Sequence, residues 1–391
     1  MKGKEPLSCI SCGLREGVTS PKIAPYGAGR KGILIIGEAP GAVEDKKGLP
    51  WQGRTGRMLE NTLSKVGIDL FMDCVSVNAV NCRPPINRAP KPFEIDCCRA
   101  VMVADTIEEF KPKVIILLGT ISLQSFLAPR WPTDLGGISK WRGFVIPDQD
   151  CKCFVVPTYH PSFISRIDSR EADTVWRQDL AKAAEAAETP FPQFSQPNIR
   201  YLQDLSILDQ YKEVPEIAFD YETTGLKSHA PGHRIICASV AINESLVYAF
   251  MMPPTKAERR PFTNLLINNS VGKMAHNMKF EDAWTNNRLR VQIQNWQWDS
   301  MLAAHVIDNR AGVTGLKFQT YVNFGVVDYA SGITPYLRSD GSGNGFNKIY
   351  KLLDEENGVE RLLKYCALDS HYEYLLAKKQ MKELDYQYLP F

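Results

Sequence analysis

Asp220 and Glu222, in the stretch FDYETTGL, stand two residues apart in a segment that reads as a β-strand, so both carboxylates leave the same face. Two acids at the end of an apolar strand are costly unless neutralised, and a divalent cation does that well. The structural alternative is a strand running into a polar turn at Thr223–Gly225. Farther on, YCALDSHYEYLL places Tyr365 and Asp369 one helical turn apart and on one face. A phenol in that position can orient a water molecule against a metal-bound phosphate. AHNMKFEDAW contributes Glu281 and Asp282, either as a solvated pair or with one of them as a further ligand. Asp299 opens a predicted helix, where an acid simply complements the dipole.

The cysteines form a second set. SCISCG holds Cys9 and Cys12 as a C-x-x-C pair; NCRPP brings Cys82, and EIDCCRA brings Cys97 and Cys98. Four thiolates drawn from three segments suit a zinc ion or a [4Fe–4S] cluster equally well by ligand count. Cys74, Cys237 and Cys366 read as small core residues, and Cys151 and Cys153 as free thiols in a hairpin turn.

The elements that must position these groups fall into two regions, as the 391-residue length leads one to expect. From GILIIGEAP through KVIILLG to CFVVPTYHPS, β-branched runs alternate with the amphipathic stretches Gly56–Val66 and Ile95–Phe110, which predicts an α/β domain with a mainly parallel sheet. A predicted helix over Ala172–Ala187 breaks at Pro190, Pro192 and Pro197. That Pro-containing segment, 189–198, is the expected linker between domains at 1–188 and 199–391. Beyond it EIAFDYETTGL, IICASVAI and SLVYAFMM predict three consecutive strands. Helices follow around Phe280–Asn287, Ser300–Ile307 and Val359–Lys382, so a second α/β or α+β domain is expected. Arg338–Gly345, RSDGSGNG, reads as a flexible substrate-responsive loop.

Bulk properties narrow the class. With 44% apolar and 23% charged residues the chain is globular, neither disordered nor fibrous. A net charge of +2 neither supports nor excludes nucleic-acid binding, which would need a local surface. No apolar run approaches a bilayer span and the start lacks a signal-peptide apolar region, so a cytoplasmic protein with no membrane partner is expected. Ten cysteines in that setting argue for a metal or cluster site and against a disulfide framework.

The order FDYETTGL, AHNMKFEDAW, WDSMLAAHVID, GLKFQTYVNFG, YCALDSHYEYLL resembles the three exonuclease motifs of the DEDD 3′–5′ exonucleases. It is most similar to the tyrosine-type proofreading domains of family A DNA polymerases, over about residues 200–385. The resemblance implies a ribonuclease-H-like fold and hydrolysis of DNA from the 3′ end with two Mg²⁺ or Mn²⁺ ions. Asp220, Glu222 and Asp369 match metal ligands and Tyr365 the water-orienting tyrosine. Asn277 and Phe280 match the second motif, with Asn277 a substrate contact. Glu281 stands where the family has Asp, so either Glu281 or Asp282 completes the ligand set, and position favours Glu281. His276 is expected to be structural or to touch the DNA strand.

GEAPGAVEDKKGLPWQGRTGRML, VNAVNCRPPINRAP, KPKVIILLGT and PTYHPSFISR resemble, in order and spacing, the motifs of the family four uracil-DNA glycosylases, over about residues 5–185. The resemblance implies an α/β/α enzyme carrying a [4Fe–4S] cluster on Cys9, Cys12, Cys82 and Cys98. Cys98 is preferred to Cys97 because the family places its cysteine four residues after the acid matched by Glu94. Glu38 and Glu44 lie in the loop that positions the hydrolytic water. Trp51 stands where a Phe usually stacks on the flipped uracil, and Asn78 matches the amide that reads the uracil edge. His160 matches the residue that stabilises charge on the uracil oxygen. Ser162 is expected to hold a phosphate, and Phe163 or Ile164 to wedge into the gap.

Together these readings predict a bifunctional DNA-processing protein acting on uracil-containing DNA and on single-stranded 3′ ends. The final stretch KKQMKELDYQYLPF comes shortly after the third exonuclease motif, near where a polymerase domain follows in family A relatives, so an N-terminal portion of a viral-type polymerase is expected, or a replication partner in trans. The alternatives are a first domain that binds uracil or single-stranded DNA without cleaving it, and zinc in place of the cluster.

Overall fold

The computed structural model describes residues 7–131, 134–339 and 345–385, which fall into two compact units. The first runs to Gln193 and also takes in Tyr321–Val327; the second begins at Phe194 and holds the rest. Residues 189–197 form neither helix nor strand. The grouping of Tyr321–Val327 with the first unit was not anticipated from sequence, because no local signal there departs from its neighbours. Of the loop expected at Arg338–Gly345, residues 340–344 lie outside the described residues.

The first unit is built on a five-stranded sheet of β1 (Ile33–Gly37), β2 (Cys74–Asn78), β3 (Val114–Leu118), β4 (Ile146–Asp148) and β5 (Cys153–Thr158), in the order β2-β1-β3-β5-β4. All neighbours are parallel except β4, which runs antiparallel to β5. The runs ILIIG and VIILL are buried at every position, as central parallel strands covered on both faces must be. Helix Arg170–Glu188, capped by Ser169, lays Trp176, Leu180 and Ala183 into the same core as Ile33, Leu59 and Val156. The polar residues singled out by sequence follow the carboxyl ends of these strands: Glu38 after β1, Asn78 closing β2, His160 after β5. That is where open parallel sheets present their ligand sites.

The second unit holds a six-stranded sheet of β6 (Asn198–Tyr201), β7 (Glu216–Thr223), β8 (Ile235–Ala241), β9 (Leu246–Met251), β10 (Gly272–Ala275) and β11 (Trp296–Asp299), ordered β11-β10-β7-β8-β9-β6. The three expected strands are the antiparallel run β7-β8-β9; the flanking strands add in parallel. Helix Gly358–Glu383 packs Leu362, Cys366 and Ala377 against Ala218, Cys237 and Ala249 on one face. Phe262, Leu265 and Trp284 close the other face. This is the ribonuclease-H-like arrangement that the resemblance implied. Among the described residues no helix is long and apolar enough to cross a membrane.

Candidate functional site

A cavity of about 290 Å³ opens at the carboxyl edge of the first sheet, and Glu38, Glu44, Trp51, Asn78, His160 and Ser162 all line it. Glycine makes this possible. A Cβ on Gly37 would lie 2.3 Å from Asn78 Oδ1 and 3.0 Å from Trp51 Cζ2, so the bare Cα is what lets amide and indole close in. Trp51 adopts a φ of 60°, an outlier for so bulky a residue, and its ring centroid lies 5.9 Å from that of His160. Glu44 is held by the Gly53 amide at 2.8 Å, at the start of helix Arg54–Lys65.

His160 caps helix Pro161–Ile167. Its Nδ1 accepts the Ser162 amide at 3.2 Å and lies 2.8 Å from Ser162 Oγ. An Nδ1 engaged as acceptor leaves the ring proton on Nε2. Burial, with Arg166 adding repulsion, drives the His160 pKa down to about 4, so the ring is neutral at neutral pH. Burial also raises Glu38, and Arg166 opposes that shift.

Cys9, Cys12, Cys82 and Cys98 line one small cavity, together with Cys97. The first pair sits on the short helix Cys9–Cys12, whose capping box is made by Ser8 and Ser11. Backbone and side-chain donors point at the sulfurs: Lys22 N at 3.2 Å from Cys82 Sγ, and Asn81 N and Nδ2 at 3.2 and 3.3 Å from Cys98 Sγ. Burial pushes the thiols of Cys12 and Cys82 up, and that of Cys98 to about 11. Cys151 is occupied elsewhere, against Arg130 and Asp148, and Cys74, Cys237 and Cys366 are fully buried.

In the second unit, ligand atoms from Asp220, Glu222 and Asp369 lie within 4.8 Å of one another. The first two come from one face of β7 and the third from helix Gly358–Glu383, as their spacing required. Burial raises the pKa of Asp220 and of Glu222, and each is raised further by a neighbouring carboxylate. Tyr365 is buried beside them, with burial the main cause of its own raised pKa and Asp369 the next. Glu281 is 2% exposed, its Oε2 has no hydrogen-bond partner, and after burial its largest perturber is Asp220. Asp282 turns away to Asn286 Nδ2 and Trp296 Nε1. Asp299 accepts four backbone amides, from Asn277, Met278, Met301 and Leu302, which makes it an anchor and a helix cap. Asn277 itself is held at a φ of 70°. His276 is tied to Ser300 Oγ at 2.8 Å.

Several residues at these sites had no local signal. Lys317 Nζ pairs with Asp369 and donates to Tyr329 Oη at 3.1 Å, while Tyr329 donates to Asp369 at 2.7 Å. The same ammonium lies 4.3 Å from the Tyr365 ring centroid. Glu373, one turn beyond Asp369, is 2% exposed, bonded to Ser300, and raised by burial to about 8. In the first unit Asn81 and Arg166 were likewise passed over, although both lie inside motifs read for other residues.

Comparison with known proteins places both units. The profile of the uracil DNA glycosylase superfamily matches residues 24–183, and that of a 3′–5′ exonuclease matches residues 203–385. The protein is thus a DNA glycosylase domain joined to an exonuclease domain. The type-4 uracil-DNA glycosylase of Thermotoga maritima is 38% identical over 151 residues, which are 39% of this chain and 75% of that protein. Through its first unit the chain belongs to the type-4 uracil-DNA glycosylases. It is also 26% identical over 325 residues to the DNA polymerase of Bacillus phage SP01, a match covering 73% of this chain and 33% of the phage protein. Among solved structures it is similar to Brucella melitensis NrnC, at 17% identity and a TM-score of 0.37, covering 49% of this chain and 83% of that one.

Proposed function

We propose that the first unit excises uracil from DNA and that the second hydrolyses DNA from its 3′ end in a two-metal reaction. The observation that carries this reading is that each catalytic constellation is assembled within its own unit: Glu38, Trp51, Asn78 and His160 on one cavity, and three carboxylates within 4.8 Å with Tyr365 beside them.

In the first site a base turned out of the stack enters between Trp51 and Asn78, whose amide offers both a donor and an acceptor to the uracil edge. As the N-glycosidic bond breaks, charge develops on the base, and His160 Nε2–H donates to the uracil oxygen. A neutral imidazole suits this task because it stabilises the anion without needing to lose or regain a proton. Glu38 holds the attacking water. Ser162, bonded to His160 and to Arg166, takes a flanking phosphate. The thiols of Cys9, Cys12, Cys82 and Cys98 fit a [4Fe–4S] cluster, which would tie three chain segments together. Zinc fits less well: its four bonds would bring sulfur atoms to about 3.8 Å of one another. Among the described residues, three-membered ligand groups within 4.8 Å comprise only the carboxylates.

In the second site, the unpartnered Glu281 oxygen and the raised carboxylates fit hard divalent cations, with Asp220, Glu222, Asp369 and Glu281 holding them. Such ions supply water activation and charge neutralisation at the phosphate. Tyr365 orients the water, and Asn277 meets the 3′ strand. The long match to a phage polymerase supports a place beside a polymerase, in the same chain or in trans, within the cytoplasm of an infected bacterium. A paired assay tests the whole reading. Abasic product from a uracil oligonucleotide is expected with or without magnesium, and shortening of a 3′-mismatched primer only with it. Uracil excision that required magnesium would overturn the first assignment.

A further inference from the structure

Asn81 is 2% exposed; its carbonyl accepts the Ile23 amide at 2.9 Å, and four further hydrogen bonds converge on two neighbours. Its backbone N–H and its Nδ2 donate to Cys98 Sγ at 3.2 and 3.3 Å. The same Nδ2 donates to the Asn78 carbonyl at 2.7 Å, and its Oδ1 accepts the Asn78 amide at 3.0 Å. One buried side chain thus clasps both backbone groups of the residue that lines the base cavity, and simultaneously rests on a cysteine of the thiol cavity.

The consequence lies in where Asn78 sits. It is the last residue of β2, the edge strand of the sheet, and is paired with Gly37 of β1, the chain staying beside β1 as far as Val80, whose N–H donates to the Glu38 carbonyl at 3.1 Å. Strand pairing therefore holds Asn78 on one side only. An amide side chain folded back on the strand end supplies the hydrogen bonds a further strand would have made. Asparagine is suited to this: Oδ1 and Nδ2 match an exposed N–H and C=O pair, which a carboxylate or an alkyl side chain cannot do. Two donors on Cys98 Sγ also tie the position of the Asn81 side chain to that of the sulfur.

We propose that Asn81 is a positioning residue that transmits the fixed location of the Cys98 sulfur to the base-reading amide of Asn78. A cluster held by Cys98 would thus bear on uracil excision through geometry: Cys98 holds Asn81, and Asn81 holds Asn78 at the depth where its side chain would meet the base. The inference rests on the glycosylase reading above.

The test uses the full chain with its cluster loaded, comparing wild type, Asn81→Ala and Asn81→Asp. The aspartate keeps the acceptor for the Asn78 amide but loses both side-chain donors. Iron and sulfide content, the cluster's reduction potential, kcat and KM on a uracil oligonucleotide, and exonuclease rate on a mismatched primer are measured on one preparation. Both variants are expected to retain iron, to shift the potential, and to lose kcat/KM for uracil by about ten- to a hundredfold, with unchanged exonuclease rate. Wild-type kcat/KM in both variants would overturn the proposal. So would a loss that merely tracks iron content, since Asn81 would then only retain the cluster. No abasic product from the wild type would instead refute the glycosylase reading itself.

Discussion

In the first unit burial lowers the pKa of His160 to about 4, whereas in the second burial raises the carboxyls of Asp220, Glu222 and Glu281 and brings Glu373 to about 8. Desolvation disfavours charge in both places. Its functional effect is opposite. In the proposed roles, a neutral imidazole suits the stabilisation of an anion, while carboxylates crowded together away from water suit a cation. Lys317, paired with Asp369, brings a positive charge to this cluster and lowers Asp220 and Glu222, against the larger effects of burial and neighbouring carboxylates.

The largest effect that bears on this contrast is chelation. Removing divalent ions, or replacing Asp220 by Asn, is expected to lower 3′-end hydrolysis on the order of 10³-fold or more, a barrier increase of about 4 kcal/mol. Uracil excision on the same protein should be unchanged in a gel assay, and a parallel loss of both would erase the distinction. Next in size, His160→Ala removes a donor to developing charge and should lower uracil excision by on the order of 10²–10³. Its exonuclease rate should stay at the wild-type level. The pH profile sharpens this point: in Glu38→Gln, which removes the raised carboxyl from the titration, the residual excision should show no inflection near 6.5 and should decline only as pH falls toward about 4, where His160 gains a proton. A normal histidine inflection would mean the ring is not desolvated as described.

A smaller but more local contrast separates two adjacent acids. Glu281→Ala is expected to weaken Mn²⁺ binding, followed by electron paramagnetic resonance, together with primer hydrolysis. Asp282→Ala, which removes long bonds at the half-buried rim, should change stability by no more than about 0.5 kcal/mol and leave both readouts near wild type. Equal effects would place both carboxylates at the ions.

The smallest expected effect is on stability against pH. Carboxylates raised in the folded chain hold protons that the unfolded chain has already released, so metal-free stability of the second unit falls as pH rises from the ordinary carboxylate range toward 8. Histidines lowered by burial, His160 among them, act in the other direction: stability falls as pH drops from about 6.5 toward 4. Manganese should therefore raise the melting temperature more at pH 8 than at pH 5 in calorimetry. An equal gain at both would show that the carboxylates are already charged without ions.

Much of both sites was legible because it follows from spacing within a single element. Asp220 and Glu222 share a strand face, Tyr365 and Asp369 a helix face, and Cys9 and Cys12 a helical turn, so their convergence needed no knowledge of the fold. The resemblances then ordered these pieces along the chain. What stayed hidden depends on partners far apart in sequence. Lys317 and Tyr329 reach Asp369 from a different part of the unit, and Asp282 faces away from the carboxylate cluster where Trp296 of β11 and Asn286 donate to it. Asn81 lies one residue before a cysteine that drew the attention, and its meaning appears only when Cys98 comes back beside it.

By itself the sequence determined the two α/β units, the chemistry each could perform and the principal side chains brought together at each site, since strand and helix periodicity dictate which neighbours share a face. Tertiary structure decided which charges are silenced and which are poised. It turned Glu281 inward and Asp282 outward, left His160 neutral, and strung Cys98, Asn81 and Asn78 into one chain of contacts. Those outcomes depend on burial and on long-range partners, which arise only when distant segments pack against one another.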